Sequence, residues 1–142
     1  MDNYSVKIEV EYLGDLHCEV THTKTGQKFL TDAPPDNNGK GEFISPTDLT
    51  AASLGSCILT IMGIVARNNN IDIKGATISV VKEMVNQPFR RIGKLSFDIK
   101  YPHQLNEHDY TILSNVVKTC PVTRSLSSDI ILEYKFGYIE NQ

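Results

Sequence analysis

The chain has 142 residues, 40% hydrophobic and 22% charged, with a formal net charge of -3 and a pI near 5.8. That length suits one ordinary domain spanning 1–142, and the composition excludes a disordered, fibrous or repeat architecture. The lysines and arginines are scattered rather than gathered into a stripe, so no nucleic-acid partner is expected.

The opening MDNYSVKIEVEY carries acidic residues where a secretory leader would be basic and then apolar, which predicts a cytoplasmic protein. Within it Val6, Ile8, Val10 and Tyr12 alternate with Ser5, Lys7, Glu9 and Glu11, the period of a strand with one buried face. Turn residues at Gly14-Asp15 and Thr25-Gly26 divide the next stretch into strands near 16–23 and 27–31, completing a three-stranded meander. Residues 32–42 are dense in proline, glycine and asparagine and read as a loop.

Ser45-Pro46-Thr47-Asp48 starts a helix: Ser45 caps, Pro46 takes the first position, and Asp48 closes a capping box. The helix is expected to run to Arg67 or Asn68, where three asparagines stop it. Its stretch from Leu49 to Ala66 carries no formal charge but holds several serines, threonines and glycines, so a buried central helix is expected rather than a membrane span. Residues 71–85 and 92–101 read as a long hairpin. Apolar residues from Leu105 to Val117 recur at helical spacing behind a cap at Asn106. Cys120-Pro121 ends that helix, a short helical turn through Leu126 follows, and Ile130 to Phe136 alternates as a closing strand.

Three cysteines, Cys18, Cys57 and Cys120, make an odd set in a reducing compartment, so any bond between them is expected to be transient and catalytic rather than structural. A reactive cysteine needs a group that stabilises its thiolate. Cys57 lies too deep in its helix for the N-terminal dipole to reach it. Cys120 can cap the following helical turn with Pro121 in first position, so the local argument favours Cys120 as the thiolate.

The segment Ser45-Pro46-Thr47-Asp48-Leu49, then Ala51-Ala52 and Leu54-Gly55-Ser56-Cys57, with Cys120-Pro121-Val122 far downstream, resembles the OsmC/Ohr family of osmotically induced and organic hydroperoxide resistance proteins. The order of elements resembles it over nearly the whole chain. The resemblance implies an α+β fold with antiparallel β-sheets around a long central helix. It also implies an intertwined homodimer whose active sites form at the subunit interface. It assigns attack on a hydroperoxide substrate to Cys57 and disulfide closure to Cys120, with a small dithiol or thiol-protein reductant completing the cycle and no cofactor. One departure is clear: the organic-peroxide branch uses an arginine from the N-terminal β region and a glutamate early in the helix. Here no arginine precedes Arg67, Thr47 stands at the glutamate position, and the nearest acid is Asp48.

Asp48 therefore has two readings, a helix cap and a catalytic carboxylate, and Glu42 could face the site from the loop. The histidines His17, His22, His103 and His108 lack ligand spacing, and His17 and Cys18 point to opposite faces of one strand, so no metal is expected. Two functions remain open: a thiol-dependent hydroperoxide reductase, and a non-enzymatic dimeric module binding a small apolar ligand or sensing redox state. The missing arginine motivates the second.

Overall fold

A computed structural model describes residues 4–140; Met1–Asn3, on which part of the leader reading rests, lie outside the described residues, as do Asn141 and Gln142. Contacts gather the chain into two units, one ending at Leu49 and the other beginning at Thr50.

In the first unit β1 (Ile8–Gly14), β2 (His17–His22) and β3 (Lys28–Asp32) form the expected antiparallel meander in the order β1-β2-β3. Asp15 and Leu16, both at positive φ, make the first two-residue turn, a conformation whose twist suits a tight hairpin. Gly26, at φ +76°, closes the second, its N–H donating to the His22 carbonyl at 2.8 Å. The predicted buried face of β1 is not buried in one chain: Ile8, Val10 and Tyr12 are 51%, 61% and 63% exposed. Alternation marks a face that can be covered, and here nothing within the described protomer covers it.

Helix α1 (Pro46–Asn68) begins and ends where its capping residues predict. Its buried residues Ala51, Leu54, Gly55, Ile58, Met62 and Ala66 fall on one stripe, while Ile64 on another face is 49% exposed, so one chain does not wrap the helix on all sides. By length and composition α1 could cross a membrane. Its buried stripe instead belongs to a core cluster with Leu95, Phe97, Ile99, Tyr101 and Leu113, the setting of a core helix. Gly55 makes close packing possible, since a Cβ there would stand 3.1 Å from Val80 Cγ2 and 3.4 Å from Ile78 Cγ2.

The second sheet has the order β4-β5-β6, with β4 (Thr77–Val85) antiparallel to β5 (Arg91–Tyr101). The hairpin starts six residues later than expected, because Gly75 at φ +95° turns the chain after the apolar Ile71 and Ile73. Next come α2 (Glu107–Ser114), capped by Asn106 whose side chain accepts the Asp109 N–H at 2.8 Å, and a 3-10 turn at Asn115–Lys118. Helix α3 (Pro121–Ser125) leads to β6 (Ile131–Tyr138), which pairs with β5 in parallel. The expected α+β class holds, but this second sheet is mixed rather than purely antiparallel. A parallel return needs a crossover of a dozen or more residues, which α2 and α3 supply.

Candidate active site

Cys57 lies on α1, half-buried against the core, and Cys120 is fully buried at the N-cap of α3. The fold closes the 63-residue gap between them and brings the two thiols into hydrogen-bonding reach, both reduced. Cys18 is a third free thiol, on β2 in the first unit.

The paired sulfurs differ in acidity. Burial pushes the Cys57 thiol up, and donation to Cys120 with the charge on that sulfur pushes it further, against a lowering by the Val122 N–H. Burial also works against a charged Cys120, but the hydrogen bond from Cys57 and the amides of Thr123 and Val122 outweigh it, so its thiol is held below the ordinary range. Of the two sulfurs Cys120 is therefore the more readily ionised. Pro121 in first helical position turns the α3 amides toward that sulfur. The buried Thr123 hydroxyl, which makes no well-aligned hydrogen bond, adds a further lowering influence on Cys120. The Tyr134 phenol is pushed up, first by its own burial and in smaller part by the Cys120 charge.

Asp48 sits in the first turn of α1, where its carboxylate accepts the Ser45 N–H at 3.1 Å while its own N–H donates to Ser45 Oγ at 3.1 Å. That reciprocal pair is the capping box read from the sequence. Arg67 is exposed in the last turn of α1.

A second constellation was not legible along the chain. His17 and Asp32 are direct partners across β2 and β3, so their side chains share a face, and the loop after β3 returns Glu42 to the same place. His17 Nε2 lies 3.4 Å from Asp32 Oδ2 and 3.4 Å from Glu42 Oε2. Asp32 is 1% exposed, and the Glu42 N–H donating to its Oδ2 at 3.0 Å, helped by His17 and the amides of Ala33 and Lys40, holds its carboxyl below the usual range despite burial. The observed register is centred between Lys24 and Thr25 and sets residue 17 opposite residue 32, whereas a hairpin centred on Thr25-Gly26 would set it opposite residue 34. Glu42 had no register signal.

Residues 39–135 match the model of the OsmC-like protein family. The chain belongs to the OsmC-like family. It is 41% identical to a protein of Psychrobacter arcticus named for an osmotic stress induced and detoxification response, with a TM-score of 0.87 over 95% of this chain and 98% of that one. The fold is shared with an OsmC-like protein of Mycoplasma pneumoniae, 14% identical, at a TM-score of 0.80 over 99% and 100% of the two chains. It is also shared with the organic hydroperoxide resistance protein OhrB of Bacillus subtilis, 19% identical, at a TM-score of 0.67 over 94% and 98%. No match is found among curated proteins. The matched span contains both Cys57 and Cys120 but begins after His17 and Asp32.

Proposed function

We propose that this OsmC-like chain is a thiol-dependent hydroperoxide reductase in which Cys57 attacks the peroxide and Cys120 resolves it. The observation that carries this reading is the pairing of two reduced thiols that share a hydrogen bond, one of them held below the ordinary thiol range. Family membership supports it, since several structural relatives are named for organic hydroperoxide resistance.

Acidity and access point to different sulfurs, and a proton passed between them reconciles the two. Cys120 is the more acidic sulfur but is fully buried, whereas Cys57 is a partly exposed residue. As Cys57 attacks the outer peroxide oxygen, its proton passes to the Cys120 thiolate, the O–O bond breaks, and Cys57 becomes a sulfenic acid. The departing alkoxide takes that proton back from Cys120 and leaves as the alcohol. The restored Cys120 thiolate then attacks the Cys57 sulfur, forming the disulfide and expelling hydroxide. Peroxide is reduced by two electrons and the thiol pair is oxidised by two. A dithiol or thiol-protein donor would return the pair to the reduced state, and Cys120 would serve as general base as well as resolving group.

Thiol titration after one equivalent of cumene hydroperoxide is expected to fall from three thiols per chain to one, with Cys18 retained. Three thiols after exposure would refute the redox pair. Cys120→Ser is expected to consume about one equivalent, roughly 10²-fold more slowly for want of the base, and to stop as a sulfenic acid that dimedone traps. Cys57→Ser is expected to consume almost none. Dimedone label on Cys57→Ser and none on Cys120→Ser would reverse the two roles. Retention of an apolar ligand without turnover would favour a binding module instead.

A further inference from the structure

The His17, Asp32 and Glu42 constellation lies wholly in the first unit, and the thiol chemistry proposed above does not use it. We propose that these three side chains form a binding site for a divalent first-row transition cation of the zinc type, bound by one imidazole nitrogen and two carboxylate oxygens.

The spacing is the first argument. Two ligands held about 2.1 Å from a tetrahedral cation stand roughly 3.4 Å apart, from the Zn–N and Zn–O lengths and the tetrahedral angle. His17 Nε2 keeps 3.4 Å to each carboxylate oxygen, and the three donor atoms all lie within 4.8 Å of one another.

The second argument is an unmet polar demand. His17 Nε2 is buried and makes no hydrogen bond, although a carboxylate oxygen stands on either side of it, and Asp32 Oδ1 is likewise buried with no well-aligned hydrogen bond. Without a proton, that nitrogen turns a lone pair toward two anions; with one, it can satisfy only one of them. A dication at the common point resolves all three donors and neutralises both carboxylates, of which Asp32 is buried at a cost that the charge would offset. Imidazole with carboxylates is a borderline donor set, suited to zinc and its neighbours rather than to calcium or magnesium.

The frame around the donors is built rather than incidental. Asp32 is fixed by strand pairing, by its N–H to the Ile44 carbonyl at 3.3 Å, and by the Glu42 amide on its carboxylate. The loop between is tied by Gly39 N–H to Pro34 O at 3.0 Å and by Gly41 N–H to Ala33 O at 3.3 Å. A Cβ at Gly39 would collide with the Ala33 carbonyl, so glycine is what lets this loop fold tightly enough to return Glu42 to His17. The Phe43 ring packs edge-on to His17, with centroids 5.5 Å apart, and limits its rotation. Glu42 is half-exposed, which leaves the cation a way in and an open coordination position toward solvent.

The test is Co²⁺ titration of the full-length chain, followed by its visible spectrum. Because the cysteines can also take this metal, it is run both on the wild type and on a Cys18→Ser, Cys57→Ser, Cys120→Ser variant. Expected are one ion per chain in the thiol-free variant, ligand-field bands without sulfur charge transfer, and a Kd raised at least about tenfold by His17→Ala or Glu42→Gln. Glu42→Gln alters only a half-exposed side chain and should fold; if the thiol-free variant does not, the same substitution is read in the wild-type spectrum. A coordination shift of the His17 Nε2 resonance on adding Zn²⁺ is the matching NMR signature. Saturable binding that is absent, that shows only thiolate charge transfer, or that is unchanged by both substitutions would overturn the site. Peroxide consumption is not the readout, so this test and that of the reductase fail separately.

Discussion

At the scale of single residues, the chemistry turns on where one proton rests. Cys120 is depressed by donors, namely the Cys57 thiol and the amides of Val122 and Thr123, while Cys57 is raised by burial and by facing the charge it helps create. A group with a lowered pKa keeps its charge as pH falls through the ordinary thiol range and loses it only below its own value. Thiolate absorbance is therefore expected to persist below the usual cysteine titration, and peroxide consumption to decline only as pH falls through that lowered midpoint. Cys57→Ala removes one donor and should move the Cys120 titration upward. A midpoint that is unchanged or lower in Cys57→Ala would show that the thiol is not what stabilises Cys120. Asp48 shows how one carboxylate can carry two readings in a sequence, since the same spacing that suggests a catalytic acid also makes a capping box, and its hydrogen bonds with Ser45 are those of the box.

At the scale of elements, α1 does two jobs, carrying Cys57 and filling the core, and small residues allow both. Gly55 lets the helix lie on β4, with Val80 and Ile78 already at contact distance from the position of a Cβ. Gly55→Val is expected to destabilise the protein by about 1–3 kcal/mol through overpacking, seen as a lower urea midpoint with the m-value unchanged. Gly63, beside which a Cβ would meet nothing within 4 Å, is the control: Gly63→Ala should be neutral or stabilising by the helix propensity it restores. Equal effects at the two glycines would mean that helix–sheet contact is not what Gly55 provides. The same element logic explains β6, whose parallel register is set by the length of the α2 and α3 crossover rather than by its own alternation.

At the scale of the whole molecule, a row of apolar side chains stands uncovered. Ile8, Val10 and Tyr12 on β1 are all more than half exposed. Exposure of this kind along one strand face marks an interaction surface, and we propose a second copy of the chain as its cover. Sedimentation at micromolar concentration is expected to give a dimer, and Val10→Glu to shift it toward monomer. A wild-type monomer at that concentration would remove the shared-site arrangement, while the thiol pair, complete within one chain, would remain.

The sequence by itself determined the local features: the ends of α1 from its caps, the three N-terminal strands from alternation and turns, the Asn106 cap, and Cys120 as the sulfur best placed to ionise. Each depends on interactions within a few residues, where propensity and hydrogen bonding act directly. The family resemblance added the pairing of Cys57 with Cys120, which no spacing along the chain encodes. Only the tertiary structure decided that the two sulfurs share a hydrogen bond, that β6 returns in parallel, that β1 is bare in one protomer, and that His17, Asp32 and Glu42 converge. Those outcomes depend on strand register, crossover length and loop closure, which join residues far apart in the chain, so the chemistry of each residue is written in the sequence while its neighbours are not.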